Sequence, residues 1–241
     1  MCMSASVSFA AASVLVPVGA FTLRRAYQFD RRFLALAALP VLFGFQQFFE
    51  GLVWLAGEAG DQEAVGHYSL AYMFFAWVAW PLWVPLSGYF IESGNRRLIY
   101  LAFAVGGAML GGLLYVPYFA HEGWLVTRFL ELAIVYDTIE LLDVIITREF
   151  TYGIYVVFVI APLLISSERD VRIFGLLVAA ALATTYLFFQ YAHISAFCFG
   201  GAVASLYLAF AVTKKRRQRE DEGDGSWTVA SRPDSSVSNS E

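Results

Sequence analysis

The chain has 241 residues, of which 59% are apolar and 15% are charged, and its formal net charge is −4. Soluble globular domains carry about 25% charged residues, so this composition excludes an ordinary soluble domain. Long apolar runs recur along the sequence, and we predict one polytopic helical membrane domain embedded in the lipid bilayer. The excess of acidic over basic residues lies mainly in the loops and the tail, so no nucleic-acid partner is expected.

We predict an all-α bundle of seven transmembrane helices over residues 1–212. A helix needs about 20 largely apolar residues to cross a bilayer core of ~30 Å. Residues 1–23 contain no Lys or Arg, and a basic pair follows directly, so we expect an uncleaved first span. The expected spans are 5–23, 33–57, 67–91, 97–119, 151–167, 171–190 and 194–212.

The basic residues predict the orientation of this bundle. All but two of the 16 Lys and Arg residues fall in the first, third and fifth connections or in the tail, and the two exceptions are Arg128 and Arg148. By the positive-inside rule, the N-terminus lies outside and the C-terminus is cytoplasmic, in the cell (plasma) membrane. The outer side should attract cations, because it carries a surplus of carboxylates. These are Glu58, Asp61, Glu63, Glu122, Glu131, Asp137, Glu140, Asp143 and Glu149.

Residues 120–150 form one long external connection whose structure the sequence leaves open. The runs 132–136 and 144–147 are β-branched and aromatic enough for the strands of a hairpin. Asp137 and Asp143, with a Glu midway between them, instead recur at i+3, which suits one face of an interfacial helix. In either form the connection would act as a lid over an outward-facing cavity.

Residues 213–241 change abruptly to Ser, Asp, Glu and Arg, which predicts a disordered cytoplasmic tail.

The sequence also contains an internal similarity. Arg follows Pro by seven residues both at Pro17 and at Pro162, and the third and seventh spans open with similar His-x-Ser sequences. Two triplets of spans joined by the fourth would form a 3+1+3 repeat, a plan that transporters use.

Glu50 is the one charged residue in the apolar stretch 33–57. A charge at the centre of a bilayer costs roughly 2.5–3.5 kcal/mol on insertion scales, so such a residue normally faces protein or water. Gln46 and Gln47 precede it by four and three residues, and Trp54 follows by four, so all three can share its helix face. The candidates are a ligand or proton site and, alternatively, a protonated carboxylate that joins helices by hydrogen bonding.

His67 and His193 open the third and seventh spans on the predicted outer side and join the candidate ligand or proton-binding residues. Together with Cys2 and Cys198 they are also the candidates for a copper or zinc site. No pair among them has a diagnostic ligand spacing, so no metal site and no cofactor is assigned. A Cys2–Cys198 disulfide is a further option on an oxidising face.

Four segments carry a resemblance to a known family. They are the Met-Cys-Met-Ser-Ala start (1–5), the block Gln-Gln-Phe-Phe-Glu-Gly-Leu-Val-Trp (46–54), Trp-Pro-Leu-Trp-Val-Pro-Leu-Ser (80–87) and Ser-Ala-Phe-Cys-Phe (195–199). Through them the chain resembles an uncharacterised family of bacterial multipass membrane proteins over most of residues 1–212. The resemblance implies a seven-span fold and no particular activity.

Three functions remain compatible with these residues. The first is transport or binding of a small molecule or an ion through an outward-facing pocket around Glu50. The second is an intramembrane enzyme or metal/redox protein at the outer leaflet, with Glu50 as general acid/base and Cys2, Cys198 or the histidines as nucleophile or ligands. The third is a structural or scaffold membrane protein. A retinal Schiff base is excluded, because lysine occurs only at Lys214 and Lys215 in the tail.

Overall fold

The computed structural model describes residues 4–121, 123–131, 133–139, 141–188 and 193–230, without the side chains of residue 193 and of residues 215–230. Over these ranges the chain is a helical bundle with one two-stranded antiparallel sheet. The helices are α1 (Ala5–Phe29), α2 (Leu34–Ala37), α3 (Leu39–Glu58), α4 (Gln62–Phe74), α5 (Trp80–Ile91), α6 (Arg96–Ala120), α7 (Arg148–Leu164), α8 (Arg169–Phe188) and α9 (His193–Ala230). The strands are β1 (Leu125–Leu130) and β2 (Ala133–Thr138), and Phe75–Ala79 forms a π-helical segment, here called the π segment.

Within the described ranges, six helical stretches are long and apolar enough to cross a membrane. These stretches are Ala5–Phe29, Arg31–Glu58, Gln62–Ile91, Arg96–Ala120, Arg169–Phe188 and Ile194–Lys214. Large apolar side chains such as Met109, Phe119 and Phe210 are exposed on the outside of the bundle, as expected of groups that face lipid. The chain therefore has the helices of a multipass membrane protein.

The predicted fifth span, 151–167, corresponds to α7, which has 17 residues. At 1.5 Å per residue this helix is about 25 Å long, shorter than a bilayer core of ~30 Å. It is also shorter than the six stretches above. The number of seven spans, the orientation and the 3+1+3 repeat therefore stay predictions.

The long connection over residues 120–150 contains a β-hairpin, formed by β1 and β2. Its register pairs Leu125 with Thr138 and Leu130 with Ala133. The expected strand at 132–136 corresponds to β2, whereas β1 was not predicted, and 144–147 lies in a 3-10 turn and the residues that follow it. One face of β2 is buried against the helices, and this tertiary packing decides between strand and helix.

The two basic residues of the connection 120–150 are both paired within or beside the hairpin. Arg128 of β1 forms an ion pair with Asp137 of β2. Arg148, the first residue of α7, donates to Asp143 at 2.5 Å and to the carbonyl oxygen of Thr138 at 2.9 Å. These bonds tie the base of the hairpin to the start of α7.

The π segment joins α4 to α5 into one continuous helical stretch. The backbone N–H of Trp80 donates to the backbone carbonyl of Phe75, five residues earlier, which is the π-helical pattern. Pro81 and Pro85 have no N–H, so the carbonyls four residues before them, at Trp77 and Pro81, lose their usual donors. A Cβ at Gly111 or Gly107 of α6 would overlap these two carbonyl oxygens, so α6 packs backbone to backbone against this stretch.

The last helix extends well beyond the predicted membrane boundary. Where the sequence predicts a disordered tail from residue 213, the backbone of α9 continues as helix to Ala230. The segment that follows Thr213 is rich in Lys, Arg, Gln and Glu, which have high helix propensity. Residues 231–241 lie outside the described ranges.

The contact between α6 and α5 can be tested by adding a single methyl group. We expect Gly107→Ala to lower the free energy of unfolding by about 1–3 kcal/mol, because the new Cβ would overlap the Pro81 carbonyl. Gly112→Ala is the matched control on the same helix, since a Cβ there has open space around it. SDS titration of the purified protein, followed by circular dichroism, measures both. Equal stability of the two variants would contradict the backbone contact.

Candidate functional site

The buried face of α3 carries the polar residues that the sequence singles out. Gln46, Gln47 and Glu50 all have 0% of their surface exposed. Spacings of three and four residues bring them onto one face of the helix, as predicted. Gly51 allows α1 to approach closely, because a Cβ there would meet the ring of Phe9. This close packing of α1 helps to keep the polar face away from lipid.

Gln47 and Ser195 both donate hydrogen bonds to Glu50. Ser195 of α9 donates its hydroxyl to Glu50 Oε1 at 2.5 Å, and Gln47 donates its amide Nε2 to Oε2 at 3.3 Å. The first bond joins residues 145 positions apart in the sequence and fixes the second membrane helix against the last. A buried carboxylate requires hydrogen-bond donors, and here each of its two oxygens has one.

Gln46 extends this arrangement towards the next helices. Its Oε1 accepts a hydrogen bond from Trp80 Nε1 at 3.1 Å, and its Nε2 has no hydrogen-bond partner among the described residues. Cys198, one turn after Ser195 on α9, is buried and lies close enough to the side chains of Gln46 and Tyr72 to interact with both. We call Gln46, Gln47, Glu50, Ser195 and Cys198 the polar cluster.

The hairpin covers the end of the bundle nearest this cluster. Tyr136 of β2 stacks on Tyr72 of α4, with ring centroids 4.9 Å apart. The Thr127 hydroxyl of β1 is 2.7 Å from that of Ser69 on α4. The hairpin therefore packs against α4, and its role as a lid stays a prediction.

Trp54 contacts the hairpin. Its ring centroid lies 5.6 Å from that of Phe129 on β1, and its indole N–H has no acceptor among the described residues. The helix register does place Trp54 one turn beyond Glu50, but its neighbour there is the hairpin. Trp54 therefore packs against the hairpin.

Of the other predicted residues, the structure describes the side chain of His67 alone, and it lies outside the polar cluster. His67 is exposed on α4. His193 is the first residue of α9, but the structure does not describe its side chain, and it does not describe Cys2. The expected Cys2–Cys198 pairing therefore falls outside the described residues. Within those residues, no group of three His, Cys, Asp or Glu side chains is arranged to hold a metal ion.

A cavity of about 780 Å³ lies on the other side of Cys198, between α7, α8, α9 and the π segment, at the end of the bundle that carries the hairpin. Its volume falls in the range of small-molecule sites, about 300–1,000 Å³. Most of its wall is apolar or aromatic. The lining residues are Ala76, Trp77, Glu149, Tyr152, Gly153, Tyr155, Val156, Ala179, Leu182, Ala183, Thr185, Tyr186, Ile194, Phe197 and Cys198.

Glu50 does not line this cavity, but Cys198 belongs both to its wall and to the polar cluster. Tyr155 fixes the boundary between α7 and the π segment, because its hydroxyl donates to the Ala76 carbonyl. The π-helical pattern widens the turn at this point, and such segments occur often at functional sites.

Sequence reasoning missed Ser195 and Tyr155 as residues of this region, and it favoured packing over a cavity wall for Trp77. Ser195 had one available signal, since a small hydroxyl residue three positions before Cys198 in an apolar span suits interhelical hydrogen bonding. Trp77 and Tyr155 resemble ordinary packing aromatics in the sequence, and only the assembled bundle brings them together, with ring centroids 5.2 Å apart.

These features define the class of the protein: a multipass helical membrane protein with a buried carboxylate and a ligand-sized cavity separated by one helix. The chain belongs to the Family of unknown function (DUF6629), whose model matches residues 1–223. No curated protein and no solved structure matches the chain.

The bond between Ser195 and Glu50 predicts a difference between two serines of α9. We expect Ser195→Ala to lower the free energy of unfolding by about 1–2 kcal/mol, because it removes an interhelical donor from a buried carboxylate. Ser205→Ala is the matched control, since the equally buried Ser205 hydroxyl donates to Ala202 of its own helix. Unfolding in SDS compares the two variants, and an equal or smaller loss for Ser195→Ala would refute the interhelical bond.

Proposed function

We propose that this protein binds a small molecule in the cavity between α7, α8 and α9, at the outer side of the plasma membrane. The polar cluster around Glu50 is then the charged element that responds to occupation of the cavity, as in a transporter or a ligand-gated membrane protein. The observation that carries the proposal is the shared position of Cys198, which lines the cavity and also belongs to the polar cluster.

The proposed topology has seven spans, with α7 as a short fifth span. Two features support an outer position for the hairpin end. The basic residues avoid this side, and Arg128 and Arg148, the exceptions, are both paired with carboxylates. The first turn of α7 also carries Glu149, in keeping with the acidic character of this side.

Glu50 acts indirectly in this proposal. The cavity wall includes Cys198 and Ile194, which flank Ser195 on α9. A ligand that displaces this part of α9 changes the distance from Ser195 to Glu50, and with it the number of donors around the carboxylate. In this proposal α9 links ligand binding in the cavity to proton binding at Glu50.

A structural role for Glu50 is the second candidate, and its complete burial together with its bond to Ser195 favours it. In that case the carboxylate holds α3 against α9 and takes no part in ligand binding. Substitutions in the cavity and at Glu50 distinguish the two candidates.

The cavity is tested by filling it. Gly153 lines the cavity and a Cβ there would meet no atom within 4 Å, so Gly153→Trp places a large side chain in the open space. We expect this variant to retain roughly tenfold less of any small molecule that purifies with the protein, as measured by native mass spectrometry from lipid nanodiscs. Gly112→Trp on α6 is the control, because its position is also open but lies outside the cavity.

If Gly153→Trp and Gly112→Trp retained equal amounts of a bound small molecule, the cavity would not be its binding site. A wild-type protein without any bound small molecule would contradict the proposed function itself.

The role of Glu50 is tested with Glu50→Gln, which keeps an acceptor for Ser195 and removes the titratable group. We expect retention of the bound molecule to change between acidic and neutral pH in the wild type and to be independent of pH in the variant. Gln47→Leu, which removes an uncharged donor to the same carboxylate, should keep the pH dependence. Identical pH profiles for wild type and Glu50→Gln would favour the structural candidate.

A further inference from the structure

Glu149 is the one charged residue among the described residues that line the cavity. It lies in the first turn of α7 and is exposed to solvent. Within the described part of the chain, no side chain forms an ion pair or a hydrogen bond with its carboxylate. The neighbouring Arg148 is engaged elsewhere, because it donates to Asp143 and to the Thr138 carbonyl. The cavity wall therefore carries a single negative charge.

The helix register places Glu149 on the face of α7 that lines the cavity. Tyr152, Gly153 and Val156 follow it by three, four and seven residues, and all three belong to the wall. At 1.5 Å per residue, Val156 lies about 10 Å further along α7 than Glu149. The carboxylate is thus at the solvent-exposed end of the cavity, and Val156 is deeper in the bundle.

The deeper part of the wall is apolar on all three helices. Val156 of α7, Ala179 of α8 and Phe197 of α9 line it. Apolar surface that leaves water for such a wall gains free energy in proportion to its area. This part of the cavity therefore suits a hydrocarbon body, with its polar end directed towards Glu149.

Two tyrosines line the cavity near its charged end. Tyr152 is one turn after Glu149 and stacks on Trp77, with ring centroids 5.6 Å apart, and Tyr186 lies in the last turn of α8. Aromatic rings attract cations through their quadrupoles, so these side chains favour the same sign of ligand charge as the carboxylate.

The wall offers nothing to a negatively charged group. No Lys, Arg or His is found among the described residues that line the cavity. A zwitterionic lipid head would bring its phosphate close to Glu149 without a basic partner, and like charges repel each other. A ligand with a net positive charge avoids this repulsion.

Building on the proposed function, we propose that the cavity takes a lipid-soluble cation, an ammonium group on a hydrocarbon body. The ammonium group lies beside the Glu149 carboxylate, and the body extends between α7, α8 and α9.

The test uses radiolabelled octyltrimethylammonium as the probe and the full-length protein in dodecyl maltoside, a detergent without charged groups. Scintillation proximity on immobilised protein reports the bound probe. Two unlabelled competitors are compared with the unlabelled probe. One is the branched alkane with a quaternary carbon in place of the nitrogen, and the other is octylphosphocholine, which adds a phosphate. Partition into micelles is the same for every protein variant, so affinity ratios between variants report on the protein.

We expect Glu149→Gln to weaken binding of the cation about 2- to 5-fold, the effect of losing one exposed ion pair. Competition by the alkane should be unchanged in this variant, which also shows that the cavity is intact. Octylphosphocholine should displace the probe from the wild type less effectively than the unlabelled cation.

Glu63→Gln is the matched control. Glu63 is likewise an exposed carboxylate in the first turn of a helix, α4, but it does not line the cavity. Its substitution removes the same charge from the protein, so the affinity for the cation should stay at the wild-type value.

The inference is overturned if the wild type shows no saturable binding of the cation, or if Glu149→Gln and Glu63→Gln bind it equally. Equal displacement by octylphosphocholine and the unlabelled cation would also overturn it, in favour of a lipid head group. Gly153→Trp separates this failure from failure of the proposed function, because it should weaken binding of cation and alkane alike. If it does so while Glu149→Gln has no effect, the cavity remains a binding site without preference for cations. If it weakens neither, the proposed function fails.

Discussion

The hydrogen bond between Ser195 and Glu50 is the interaction on which the arrangement of the bundle depends. A carboxylate inside the membrane domain must find donors, and two that Glu50 finds are Gln47 of its own helix and Ser195 of α9. The bond sets the rotation of α9, since Ser195 has to face α3. With that rotation fixed, Cys198 is directed between the polar cluster and the cavity.

A second constraint comes from the two prolines of α5. Pro81 and Pro85 leave carbonyl groups without donors, and Gly107 and Gly111 let the backbone of α6 cover them. The π segment before Pro81 shifts the helix by one residue and presents Trp77 to the neighbouring helix α7. The cavity thus arises where the hydrogen-bonding pattern of one helix changes, and neighbouring helices stabilise the change.

Glu50, Gln46 and Gln47 could be found from the sequence because a charge in an apolar span is rare and because helical spacing is regular. Ser195 could not be paired with Glu50, since nothing local links residues 145 positions apart. The strand β1 was missed because its formation depends on pairing with β2 and packing on α4. The cavity carries no sequence signal, because most of its wall consists of the same apolar residues that face lipid elsewhere.

A cryo-EM structure in lipid nanodiscs, bound to a rigid fiducial, tests most directly whether a buried carboxylate and a ligand cavity lie on opposite sides of α9. We expect the Ser195 hydroxyl within hydrogen-bond distance of the Glu50 carboxylate, and non-protein density between α7 and α8 that reaches Trp77. A cavity closed by direct packing of α7 on α8, or a Glu50 side chain turned away from α9, would contradict this arrangement.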